Sequence, residues 1–210
     1  MATKKAGKES IGSGKTGKGM TGHAKIARER TKREAILDAM LEIVVERGFH
    51  DAPMSLIAQR SGASAGVIYH YFASKEEIIA ALYERIRERK LEAFLGGFDA
   101  EREPGVVFVE TFVSVYGFYR KHQREMRFFA MCEHAGFSCT EKAEAKDERA
   151  AAFAKRFAAR GRGGVLKDWP QSVLEDMTLG LVARLAGLPK KIAEPVLREI
   201  AEGVWEMVRA

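Results

Sequence analysis

Three groups of residues in this 210-residue chain have types and spacing that could do chemistry. The first is cationic: residues 1–33 hold seven lysines and three arginines against Glu9 and Glu29, so the segment carries +8. The second runs from Leu56 to Glu77 and reads Leu-Ile-Ala-Gln-Arg-Ser-Gly62, Ala-Ser-Ala-Gly-Val-Ile-Tyr-His-Tyr-Phe72, Ala-Ser-Lys-Glu-Glu77. The third is aromatic, with 12 of the 19 aromatic residues lying between Phe94 and Phe157. These patterns offer phosphate neutralisation, contact with a nucleic-acid groove and the binding of a greasy ligand. Catalysis is not among them, because Gly-x-Ser-x-Gly, P-loop and paired-histidine motifs are all missing. His122, Cys132, His134 and Cys139 fit no common zinc spacing, so neither a metal nor a cofactor is expected and the chain is not read as an enzyme.

The elements that position these groups follow from charge and period. The whole chain is +6, so the 177 residues after the basic segment sum to −2. Six of the 20 glycines fall in residues 1–33, aromatics are absent there, and no helical or strand period precedes Ala24. Such a stretch cannot bury enough apolar area to offset its ordering entropy, which predicts a disordered basic arm over residues 1–30. No uncharged apolar run reaches the length of a membrane span, and the basic start lacks the apolar core of a signal peptide. A cytoplasmic protein without membrane association is expected. With only Cys132 and Cys139, no disulfide framework supports the fold.

From Thr31 the pattern is helical. Thr31-Lys-Arg-Glu34 reads as a capping box, Ile36, Met40, Ile43 and Val44 recur at helical spacing, and Gly48 is a stop. Pro53 opens a short second helix to about Ser61, Gly62 allows a tight turn, and Ser64 caps a third helix over Ala65–Tyr71. Ser74-Lys-Glu-Glu77 is a second capping box opening a long helix. Two short helices joined by a three-residue turn containing glycine form a helix-turn-helix signature. No period-two run predicts a strand.

Ile-Tyr-His-Tyr-Phe72 followed by Ser-Lys-Glu-Glu77 resembles the DNA-binding region of the TetR family of bacterial repressors, over about residues 31–78. The resemblance implies an all-α chain in which a three-helix helix-turn-helix DNA-binding domain, residues 31–78, precedes a helical effector-binding and dimerisation domain, residues 79–210. It makes Ala65–Tyr71 the recognition helix. It also implies that Ser55 reaches bases or phosphates, that Tyr69, His70 and Tyr71 contact the backbone, and that Lys75 clamps a phosphate. On chemistry alone, Gly66 would let the backbone approach DNA closely, and Ala65 and Val67 can meet thymine methyl groups. Double-stranded DNA bearing a near-palindromic operator, and a second copy of the chain, are the partners implied.

Residues 34–78 nonetheless carry three cations against seven carboxylates, a balance of −4. DNA affinity comes largely from neutralised phosphates, so the basic arm is the expected source of charge. Beyond residue 95, apolar residues recur at helical spacing over 106–121, 125–135, 170–185 and 192–208, with a further helix capped at Ser138–Glu141. Phe108, Phe112, Tyr116, Tyr119, Phe129 and His134 are the candidate contacts for a small hydrophobic effector. Periodicity does not separate a pocket wall from an ordinary core, so an effector-independent, nucleoid-associated DNA-binding protein on the same fold is the alternative reading. The resemblance implies that the last two helices of each subunit form a homodimer bundle, and Gly180, Ala183 and Ala186 would permit close approach.

Overall fold

The structure is a computed structural model that describes residues 22–96, 98–135, 148–158 and 163–210. Ten α-helices are seen among the described residues: α1 Gly22–Arg47, α2 Met54–Ser61, α3 Ala65–Tyr71, α4 Lys75–Leu95, α5 Pro104–Lys121, α6 Gln123–His134, α7 Glu148–Ala158, α8 Gln171–Glu175, α9 Leu181–Ala186 and α10 Glu194–Val208. An isolated antiparallel bridge, Leu166 to Arg209, is the one β-type pairing among them.

The first helix departs from the expected boundary. It begins at Gly22, nine residues before Thr31, so Thr31–Glu34 lies inside a helix and not at its start. Residues 23–30 contain no glycine or proline and are rich in Ala, Arg, Lys and Glu, which lets the helix continue through them. Residues 22–30 of the predicted disordered arm are therefore helical, and residues 1–21 lie outside the described residues. Glu34, released from capping, accepts from Arg85 Nη1 at 2.6 Å, while Asp38 pairs with Arg85 Nη2 at 2.8 Å. One arginine thus pins α1 to α4.

The next boundaries match local chemistry. Gly48 (φ 85°) and Gly62 (φ 66°) end α1 and α2 in left-handed conformations that side chains rarely adopt. Ser64 Oγ accepts from Val67 N to cap α3, and Ser74 Oγ accepts from Glu77 N at 3.2 Å to cap α4. The Glu77 carboxylate returns to Ala73 N at 2.5 Å, one residue before the cap. Glu103 caps α5 by accepting from Gly105 N at 2.7 Å, with Pro104 in the first turn.

Two cores result. The first joins Ile36, Met40, Ile43 and Val44 of α1, Ile57 of α2, Ile68 of α3 and Ile78, Leu82 and Ile86 of α4. Phe128, Phe129 and Cys132 of α6 complete it, from fifty residues beyond the predicted domain boundary. The second core gathers Val109, Phe112, Val115, Tyr116 and Tyr119 of α5 around Leu174, Val182, Leu197, Ala201 and Val204. The boundary expected at residue 78 falls inside α4, which contributes to the first core as far as Ile86.

The helix predicted over 170–185 is interrupted. Asp176–Gly180 forms a π-turn between α8 and α9. Thr178 Oγ1 donates back to the Leu174 carbonyl at 2.7 Å, a bond that competes with the regular ladder. Ala186 is buried within the second core, so it does not face outward as the dimer reading required. The helix expected to be capped at Ser138–Glu141 starts outside the described residues.

Candidate DNA-binding face and effector cavity

Helices α2 and α3 present their outer surfaces on one side of the first core. Ile57 and Ile68 face inward with no exposure, whereas Ser55, Ala65, Gly66, Tyr69 and His70 are exposed. Val67 and Tyr71 are half-buried; Tyr71 packs against the first core and meets His70 edge-on at 5.1 Å. Tyr69, 57% exposed, is the most exposed aromatic on this face. A Cβ at Gly66 would meet nothing within 4 Å, so this position opens wholly outward. The first turn of α3 is thus a smooth, small-residue surface.

Cations are scarce on this face. Arg60 is held by Glu46 at 2.6 Å and Glu42 at 3.9 Å, across α1 and α2. The hydrogen bond from Arg60 lowers the Glu46 carboxyl below its ordinary range. The pair therefore contributes at neutral pH and is lost as acid protonates Glu46. Lys75, predicted as a phosphate clamp, donates Nζ to the Phe49 carbonyl at 3.1 Å. It staples the start of α4 to the loop after α1. Arg33 lies over the Phe72 ring at 5.3 Å. Sequence reasoning missed Thr31, Lys32 and Ala35, which with Ser61–Ser64 and Val67 line a cleft beside the recognition helix. The usable signal was the breaker-free run before Thr31, through which α1 continues about two and a half turns back to Gly22.

The second site is a cavity of about 370 Å³ between α4, α5, α7 and α8–α9. Phe94, Phe108, Phe112, Phe153 and Phe157 form its aromatic walls, and Leu174, Leu179 and Val182 its aliphatic side. Phe153 packs edge-on to Phe94 and Phe98 at 6.4 and 5.3 Å. Of the six predicted contacts, Phe108 and Phe112 line this cavity and four do not. The Tyr116 hydroxyl accepts from Ile192 N at 2.9 Å, anchoring the approach to α10. Tyr119 and Phe129 border a different cleft beside Lys90, and Phe129 stacks on Tyr83 at 4.5 Å. His134 is exposed at the end of α6, with Nδ1 on the Ala130 carbonyl at 2.7 Å. Spacing along one helix could not assign these rings, because α4, α5 and α9 each send side chains into both clefts. Tyr116→Phe removes one buried hydrogen bond, and thermal or urea unfolding should show a loss of about 1 kcal/mol.

Among the described residues, no group of three or more His, Cys, Asp or Glu side chains could hold a metal ion. No helix among them is long and apolar enough to cross a membrane.

Two short helices, a left-handed glycine turn and an exposed second helix over a shared core place this chain in the helix-turn-helix class of DNA-binding proteins. Within that class, residues 36–82 match the model of bacterial regulatory proteins, tetR family. The HTH-type transcriptional regulator BetI of Escherichia coli is 36% identical over 76 residues, 36% of this chain and 39% of that relative. The match thus spans about two-fifths of the length of the curated relatives. Beyond it the likeness is one of fold. A TetR family transcription regulator from Marinobacter aquaeolei VT8 superposes with a TM-score of 0.74 at 18% identity, over 88% of this chain and 98% of that one. A TetR-family transcriptional regulator from Haemophilus influenzae RD gives 0.70 at 17% identity, over 87% and 99%.

Proposed function

We propose that this chain is a cytoplasmic, homodimeric transcriptional repressor that leaves a near-palindromic operator when a small hydrophobic effector fills the cavity. The observation that carries this reading is α4. Lys75 at its start touches the loop after α1, inside the DNA-binding head, and Phe94 near its end lines the cavity. A 21-residue helix spans about 30 Å and moves as a unit. Ligand pressure on Phe94 would therefore turn the head. Coupling of typically 1–3 kcal/mol would weaken DNA binding by about 5–150-fold. The π-turn supports the same reading, since Thr178 and Leu179 line the cavity and such turns often sit at functional sites. An open cavity favours an effector over the effector-independent alternative, for which a solid aromatic core would be expected.

Exposed apolar side chains on the closing helices support the dimer. Val196 and Met207 on α10 are 49% and 41% exposed, and open Gly203 lies between them at helical spacing. Val173 of α8 is also exposed. Two-fold pairing would set the two recognition helices about 34 Å apart, or a multiple of that. Footprinting on the promoters of the protein's own gene and its neighbours tests this. The expected result is a protected near-palindrome with that spacing; scattered protection without a repeated half-site would overturn it.

The basic segment should supply the phosphate contacts that the head lacks. Deleting residues 1–24 should make the fall of log K with log salt shallower, by about 0.9 per lost phosphate contact. An unchanged slope would remove the arm from the interface.

A further inference from the structure

We infer that the cavity selects an apolar molecule with a cationic head and discriminates against carboxylates; this rests on the effector reading above. Among the described lining residues, Glu175 is the one that carries charge, and it stands exposed at the edge of the cavity. Its Oε1 accepts from Gln171 Nε2 at 2.5 Å, leaving its other oxygen for a ligand.

The neutral donors tell the same story. Thr111 Oγ1 donates to the Phe94 carbonyl at 3.5 Å and Thr178 Oγ1 to the Leu174 carbonyl at 2.7 Å. Each hydroxyl has one proton, and both are committed to the protein. Two of the α7 cations also donate to the backbone: Arg149 to the Leu95 carbonyl at 2.6 Å and Arg156 to that of Arg102. A carboxylate brought into this cavity would lose its water, find both threonine hydroxyls engaged and meet Glu175. A cation would meet the Glu175 carboxylate and the negative faces of the phenylalanine rings, both favourable. The five rings would bury the apolar remainder of the molecule.

The test uses three probes of equal chain length, decyltrimethylammonium, decanol and decanoate, titrated calorimetrically into the full chain below their micelle concentrations. The ammonium should bind about tenfold tighter than the carboxylate, and added salt should narrow that gap without affecting decanol. Glu175→Gln, at an exposed position that leaves folding intact, should lower ammonium affinity about fivefold and leave decanol unchanged. Decanoate binding as tightly as the ammonium, or a Glu175→Gln variant with the same head-group preference, overturns the inference. If decanol binds but no head group is preferred, the charge selection fails and the effector cavity stands. If none of the three binds, both fall together.

Discussion

Replacing Gly66 by glutamate should leave the protein folded and lower its affinity for operator DNA by roughly a hundredfold. The fold tolerates the change because a Cβ there meets nothing within 4 Å and the backbone is ordinary right-handed helix. Removing glycine from a helix gains about 1 kcal/mol, and a carboxylate in the first turn suits the positive end of the helix dipole. The DNA face is where the change should be felt. Gly66 is the second residue of α3, in the turn that meets base edges when such a helix enters the major groove. A glutamate there holds the helix off the groove and adds negative charge to residues 34–78, already at −4. Gly66→Ala should separate the two effects, raising the unfolding free energy slightly while weakening DNA binding. Fluorescence anisotropy on the footprinted fragment and urea unfolding together check it. A glutamate variant that binds like the parent would remove α3 from the interface.

The second large effect is expected far from the DNA-binding motif in sequence. Phe128→Ala should destabilise the protein by about 3–5 kcal/mol, because Phe128 is fully buried in the first core and meets Phe49 edge-on at 5.9 Å. It should also cost DNA binding at temperatures where the second core remains folded, since α6 supplies part of the surface on which α1 and α4 are set. By the same logic, residues 31–78 should not form a stable domain when expressed alone. A loss under about 1 kcal/mol in equilibrium unfolding, or a cooperatively folded 31–78 fragment, would show that the head is independent of α6.

How far each feature could be read from the chain depends on how local its cause is. The limits of α3, the serine caps at 64 and 74 and the glycine stops at 48 and 62 are all as read from the sequence. Each is caused by a side chain or a missing Cβ within four residues of the boundary it sets. The exposed set on the DNA face followed from the same period, since burying Ile57 and Ile68 leaves Ser55, Gly66 and Tyr69 outside.

The failures have a common origin too. Thr31 was read as a cap on local grammar, yet the helix ran through it to Gly22. Tyr116, Tyr119, Phe129 and His134 shared the composition of a pocket wall, but the crossing of α4, α5 and α6 sent them elsewhere. Phe94, Phe153, Phe157 and Thr178 reached the cavity from three separate helices. Composition and spacing therefore settled the helix class, the limits of α3 and the +8 segment, because those depend on turns, caps and net charge. Helix packing settled which aromatics wall a cavity, that α6 belongs to the core of the head, and that Lys75 touches the loop after α1. Those outcomes depend on contacts between residues dozens of positions apart, for which one helix's periodicity carries no information.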